Sequence, residues 1–152
     1  MSNIKFGTDG WRAIIAKDFT VDNVARITQA TASWLLDNFE NPSVVIGHDC
    51  RFAGSLFAET AAKVLAHNKI KVYLAHKVAS TPMVSLANVK LSASAGIVLT
   101  ASHNPPDYNG FKLKGSYGGP LLPDDIDKVE AHLPATNEID LDGMEMEDLK
   151  ES

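Results

Sequence analysis

The chain has 152 residues, 45% of them hydrophobic and 22% charged, which is material for one domain with its own core and too little for two. No apolar run approaches the roughly 20 residues of a membrane-spanning helix, and Met1 to Lys5 leads straight into a polar motif without the apolar segment of an export signal, so a cytoplasmic protein is expected. The formal charge of −5 sits at one end: residues 137–152 carry a net −6 and residues 1–136 a net +1, so the body lacks the basic footprint of a nucleic-acid or membrane-surface binder.

In chain order, the first regular element after the opening segment is a helix. Thr20 stands as its cap, and Val24, Ile27, Thr31, Trp34 and Leu35 recur at helical spacing up to Asn38. Pro42 interrupts, and the β-branched run from Val44 to Ile46, closed by Gly47, reads as a strand buried on both faces. A second helix is expected from about Ser55 to His67, with Phe57, Ala61, Val64 and Leu65 on one face, and a strand over Lys71 to Leu74 follows at once. Thr81-Pro82 opens a short third helix through Val89, and Ala95 to Thr100 is the third apolar strand. Gly110 to Lys114 alternates apolar with basic and runs into Gly115, Gly118, Gly119 and Pro120, the pattern of an edge strand and a glycine-rich turn. Pro123, with Asp124, Asp125 and Asp127 near the positive end of the helix dipole, begins a last helix to about Leu133, which Pro134 stops.

Strands alternating with helices define an α/β domain. The expectation is three layers: a mainly parallel, doubly wound sheet of about four strands with an antiparallel edge strand, and helices on both faces. Residues 1–135 make up this domain, and residues 136–152 read as an acidic linker or the start of a missing neighbour.

Three polar clusters fall directly after the three apolar strands: residues 47–51 (Gly-His-Asp-Cys-Arg), residues 76–82, and residues 100–105 (Thr-Ala-Ser-His-Asn-Pro). These are the carboxyl ends of a parallel sheet, where ligands bind. The last cluster sets a nucleophile-capable hydroxyl, Ser102, beside an acid/base imidazole, His103, and an amide, Asn104, while Pro105 and Pro106 keep the loop irregular. A Ser-His hydrolase is disfavoured because adjacent side chains do not normally face each other and the Gly-x-Ser-x-Gly elbow is absent. Phosphoryl transfer through the serine oxygen is the other reading of the same residues. Asp49 and Arg51, two apart beyond a strand, are placed to pair and brace the serine loop, and Cys50 between them reads as a small buried hydrophobe. His48, His67, His76 and His132 show no metal-ligand spacing, so no metal site is expected to be built wholly within the chain.

Residues 100–105, followed by Asn109-Gly110-Phe111-Lys112, resemble the phosphoserine loop of the α-D-phosphohexomutase superfamily, the phosphoglucomutases and phosphomannomutases. The opening Phe6-Gly7-Thr8-Asp9-Gly10-Trp11-Arg12 is similar to that superfamily's amino-terminal signature, and Gly47 to Arg51 and Thr81-Pro82 fall at matching places between. Four motifs in one order, spanning residues 6–114, carry the resemblance.

What it implies is an enzyme that moves a phosphate between the C1 and C6 hydroxyls of a hexose through a phosphoserine and a hexose 1,6-bisphosphate intermediate. Ser102 matches the phosphorylated serine. His103 is the implied proton relay, with a hydrogen-bonded structural imidazole as its alternative. Lys112 would neutralise the moving phosphoryl group, and Lys114 would be an ordinary solvated edge-strand lysine. Arg12 would hold a phosphate, Thr8 and Asp9 would shape the opening loop, and Asp49, Arg51 and Asn104 would support the site. Mg²⁺ is the implied cofactor, held here through the Ser102 phosphate with its other ligands in another domain. The family enzyme has four domains around one cleft, and this chain matches the first. It is therefore expected to be inactive alone and to work with hexose phosphates and the remaining mutase domains. The alternative is a stand-alone binding or regulatory module that keeps the fold.

Overall fold

The computed structural model describes residues 4–7 and 10–144. Its elements alternate as β1 (Trp11–Ile14), α1 (Val21–Asn38), β2 (Ser43–His48), α2 (Gly54–His67), β3 (Lys71–Leu74), α3 (Thr81–Lys90), β4 (Ala95–Leu99), β5 (Tyr108–Gly115) and α4 (Pro123–Ala131). Local chemistry sets the helix starts. The Thr20 hydroxyl accepts the Asn23 N–H at 3.2 Å and the Ser80 hydroxyl accepts the Met83 N–H at 3.4 Å, satisfying donors that have no partner inside the helix. Pro82 and Pro123 occupy first-turn positions, where a missing N–H does no harm.

The sheet has five strands in the order β1-β5-β4-β2-β3. Strands β3, β2 and β4 are parallel, whereas β5 runs antiparallel to β4 and β1 antiparallel to β5. This is the expected α/β architecture with one more strand. The strand over Gly110 to Lys114 is not at the edge as its alternation suggested. It lies between β4 and β1, because Trp11–Ile14 pairs along it and takes the edge position itself. Four residues with a single buried position carry too little periodicity to read as a strand without their partner.

The two faces of the sheet are covered unequally. One face meets α1, α2 and α4 through the main core, where Val24, Ile27, Leu35, Ile46, Leu65, Ile97 and Phe111 are buried. Trp11 stacks on Phe19 at 4.7 Å between centroids, and Phe19 meets Phe57 edge-on, which ties β1 to α2. The other face is covered by α3, whose Val84 packs with Val45, Ala79 and Val98 in a smaller cluster. Alternation along β5 sends Phe111 and Leu113 into the main core and leaves Gly110, Lys112 and Lys114 on the α3 side.

Gly110 is a point of close backbone approach in this arrangement. A Cβ there would come within 2.4 Å of the Thr100 carbonyl oxygen and 3.2 Å of that of Trp11, both backbone atoms that no rotamer change can move away. Gly110→Ala is therefore expected to lower stability by about 2–3 kcal/mol. Ser116→Ala in the exposed turn beyond β5 should stay within about 0.5 kcal/mol of the parent. Chemical denaturation of the two variants beside the parent chain measures both.

Candidate active site

The serine loop forms where β4 ends and the chain turns back into β5. Thr100 extends the β4–β5 pairing, its N–H donating to Gly110 O at 3.0 Å, and Ala101 is fully buried. Ser102 and His103 then emerge into solvent. Ser102 has φ +52°, in the left-handed region, where a residue with a Cβ is strained by about 1 kcal/mol or more. Such a conformation persists only where the surroundings hold it.

Arg51, from the loop after β2, does the holding. Its Nη2 donates to the carbonyl oxygens of Ser102 at 2.7 Å and Asn104 at 2.8 Å. Its Nη1 donates to those of Pro105 at 2.8 Å and Tyr108 at 3.1 Å. The planar fork thus gathers four carbonyls of one loop, with the added strength of a charged donor. Asp49 orients it: one carboxylate oxygen accepts the Arg51 backbone N–H at 3.0 Å, and the other lies 3.6 Å from Arg51 Nε. The second oxygen also accepts the Thr100 hydroxyl at 2.6 Å, and Thr100 Oγ1 in turn accepts the Ser102 N–H at 3.3 Å. Sequence reading anticipates the Asp49–Arg51 pair but gives Thr100 no role. Its only signal is membership in the motif that contains Ser102.

Ser102 Oγ lies 3.3 Å from His103 Nδ1, so the neighbouring side chains do approach here, and which atom donates depends on the imidazole tautomer. Arg12, on β1, donates through Nη1 to Asn104 Oδ1 at 2.9 Å, which brings the opening motif onto the serine loop. Thr8 and Asp9 lie outside the described residues. On either side of them, the Gly7 N–H donates to Gly10 O at 3.0 Å, and Gly10 abuts the backbone of Phe111 and Lys112.

Register separates the two lysines. Lys112 stands opposite Val98 and Lys114 opposite Gly96, so Lys112 lies one pleat repeat, about 7 Å, nearer the end of β4 that carries Ser102. Lys114 is not the solvated lysine that an edge strand would present. With β1 on its outer side, β5 is internal, and Lys112 and Lys114 are only 7% and 5% exposed, each engaged in polar contact. Lys114 Cβ and the Asn88 side chain of α3 both border Gly96, which places Lys114 on the side that α3 covers. Cys50 also departs from expectation. It is exposed, because the bend that turns Asp49 and Arg51 toward the serine loop leaves the residue between them facing outward.

The groups around Ser102 are cations, an imidazole and an amide. Among the described residues no three His, Cys, Asp or Glu side chains converge as a metal site. Asp49, the carboxylate that braces the loop from the end of β2, is committed to Arg51 and Thr100, and Asp107 within the loop is exposed. Among the described residues the chain's own donors therefore do not make up a Mg²⁺ site.

Fold and site together define a class: a doubly wound α/β domain that holds a strained, exposed hydroxyl among cationic side chains at the carboxyl edge of its sheet. The chain belongs to the phosphoglucomutase/phosphomannomutase family. That family's alpha/beta/alpha domain I profile matches residues 3–140. A phosphoglucomutase of Staphylococcus epidermidis (strain ATCC 12228) is 38% identical over 138 residues, covering 87% of this chain and 25% of the relative. One from Staphylococcus haemolyticus is 45% identical over 98 residues, covering 64% and 18%. Among solved structures, a protein assigned as a phosphomannomutase from Thermus thermophilus superposes with TM-score 0.87 at 39% identity, over 90% of this chain and 31% of that one. Parafusin, a phosphoglucomutase from Paramecium, shares the fold with TM-score 0.81 at 22% identity, over 95% and 30%. The chain thus spans about a quarter of the length of the relatives it matches.

The carbonyl clamp makes a direct prediction. Arg51→Met should release the loop while leaving the sheet intact, because four charge-assisted bonds are lost at a surface loop and none within the core. Hydrogen exchange of the Asn104 and Tyr108 amides, which bond to Ala101 O and Pro105 O, should accelerate at least about tenfold, the effect of losing roughly 1.4 kcal/mol of local stability. Amides within β2 and β4 should be unchanged.

Proposed function

We propose that this chain is the serine-bearing domain of a hexose-phosphate mutase, and that Ser102 Oγ carries the phosphoryl group in transit. The observation that carries the reading is the Ser102 loop itself. An exposed hydroxyl is held in a left-handed conformation by Arg51, with Arg12 one hydrogen bond away through Asn104 and Lys112 on the adjacent strand. Membership in the mutase family supports the same reaction class.

In the proposed step, phosphorylated Ser102 meets a hydroxyl of a bound hexose phosphate. A bond forms from the sugar oxygen to phosphorus, the bond from phosphorus to Oγ breaks, and the sugar proton ends on Oγ. His103, whose Nδ1 stands 3.3 Å from Oγ, exchanges that proton. The product of this half-reaction is a hexose 1,6-bisphosphate. Return of its other phosphoryl group to Ser102 completes a net shift between C1 and C6. Little covalent chemistry is asked of the protein, so placement and charge supply the rate. Lys112 and Arg12 offset the charge on the transferring group, and Asp49, Arg51 and Asn104 hold the loop that presents it. The rest of the cleft, including sugar recognition, comes from polypeptide beyond this domain.

In the complete mutase, Ser102→Ala should abolish glucose 1-phosphate to glucose 6-phosphate turnover while the thermal melt stays at the parent value. Phosphopeptide mass spectrometry should place the phosphate on Ser102. A stable phosphate on Ser80 or Ser116 instead would overturn the assignment.

The lysines are tested by contrast. Lys112→Met should lower kcat at least about a hundredfold, the scale of losing one preorganised charge contact, and lower kcat/KM with it. Lys114→Met should change kcat much less and register mainly as a lower melting temperature, because Lys114 is buried beside Gly96, on the side that α3 covers. Equal losses of kcat, or an effect of Lys112→Met confined to KM, would remove Lys112 from the transfer step.

A further inference from the structure

The backbone of Ser102 is held at both ends, and the two bonds differ in kind. Arg51 Nη2 donates to its carbonyl oxygen at 2.7 Å, whereas Thr100 Oγ1 accepts its N–H at 3.3 Å. Chemistry fixes the polarity of the second bond. A carboxylate paired with a guanidinium accepts and does not donate, so the Thr100 hydroxyl donates to Asp49 Oδ2, 2.6 Å away, and a lone pair is left for the Ser102 amide. Among side chains, a hydroxyl serves a carboxylate and an amide at once through a single atom. Thr100 is also β-branched, with few rotamers, and at 7% exposure it meets little water that could compete. Donation to Asp49 polarises the hydroxyl and makes it a better acceptor for the amide.

That N–H acquires a competitor once Ser102 is phosphorylated. A phosphate on Oγ brings strong acceptor oxygens within reach of the residue's own amide, since only Cα, Cβ, Oγ and phosphorus lie between nitrogen and phosphate oxygen, and backbone N–H groups bind phosphate well. Such a bond would stabilise the phosphoserine before transfer and would have to break as the phosphoryl group leaves Oγ, which raises the barrier. We propose that Thr100 is a positioning residue for the transfer step: its hydroxyl occupies the Ser102 N–H, denies that donor to the phosphate on the same residue, and leaves the phosphoryl group free to meet the sugar hydroxyl. The inference rests on Ser102 as the phosphoryl carrier. Asp49 works in the same direction, because a phosphate turning back toward the amide would approach the carboxylate behind Thr100. Thr100 touches no substrate in this scheme and acts only through Ser102.

The complete mutase, labelled with ¹⁵N-serine and phosphorylated by a hexose 1,6-bisphosphate without added metal, tests the proposal. At fixed pH the Ser102 amide proton of the parent should move downfield on phosphorylation less than that of a phosphoserine in an unfolded peptide measured alongside. Thr100→Val keeps the shape and loses the hydroxyl. Its Ser102 amide should move as far as the peptide's, and kcat should fall at least about tenfold with KM for glucose 1-phosphate unchanged. Thr100→Ser restores the hydroxyl and should recover the parent's amide shift and most of kcat. A role confined to holding the loop would lower kcat in Thr100→Val without the downfield move, and that result overturns the proposal. So does a Thr100→Val enzyme with the parent's kcat, or a Thr100→Ser enzyme that behaves like Thr100→Val. A parent amide that moves as far as the peptide's overturns it without any variant, so the test stands even if Thr100→Val does not fold. Phosphate on Ser102 with such an amide removes this inference alone, whereas a mutase without phosphate on Ser102 removes the mutase reading as well.

Discussion

The guanidinium of Arg51, set among the carbonyls of Ser102, Asn104, Pro105 and Tyr108, is the constraint on which the candidate site depends. A loop of this kind has no helix or ladder to absorb its backbone acceptors, and two consecutive prolines deny it further donors. Left to water, it would sample many conformations, and Ser102 would relax from φ +52° to a commoner basin. A charged donor with a fixed fork removes that freedom. Lysine offers a point charge and no fork, so it does not reproduce the clamp. Arg51 itself is pinned by Asp49, which reaches Ser102 from the other side through the Thr100 hydroxyl. The loops after β2 and β4 are thus one unit, and the parallel pairing of β2 with β4 sets the distance between them.

The position of β5 decides the electrostatics. Inserted between β4 and β1, it places alternate residues on a face that α3 covers mainly over β2 and β4, reaching β5 where Asn88 donates to Gly115 O at 2.6 Å. Phe111 and Leu113 fill the main core, and Gly110, Lys112 and Lys114 occupy the other side, with Arg12 of β1 beside Gly110. Three cations are thereby aligned on one face of two neighbouring strands, graded by distance from the serine loop. Arg12 touches it through Asn104, Lys112 comes next along the strand, and Lys114 lies one further pleat away under α3. Backbone register, rather than side-chain type, distinguishes the two lysines.

Most of the architecture is legible in the sequence because the parallel part of the sheet announces itself. Residues 44–46 and 95–99 are continuous apolar runs flanked by capped helices, and that pattern has few alternatives. What escapes is the part that depends on a distant partner. Trp11–Ile14 becomes a strand only because β5 lies beside it, and without that pairing in view β5 reads as an edge and Lys114 as a solvated side chain. The site divides the same way. Ser102, His103, Asp49, Arg51, Asn104 and Arg12 stand out as motif residues, and the structure brings them together. The exposure of Cys50 and the bridging role of Thr100 depend on how two loops face each other, which local pattern does not encode.

The unequal covering of the sheet links these features. Three helices seal one face with the main core, and that is enough to hold the domain together. The other face needs only α3, so it is free to carry groups that a sealed face would exclude: cations beside the serine loop at one end, and apolar side chains turned outward on the helix. Lys112 is already buried, and a second full helical layer over β5 and β1 would bury Arg12 as well, at several kcal/mol if its charge were left uncompensated. Leaving that layer thin keeps Arg12, which bonds Asn104 of the serine loop, partly open to solvent, and the same thinness leaves α3 with an apolar surface that its own domain does not cover.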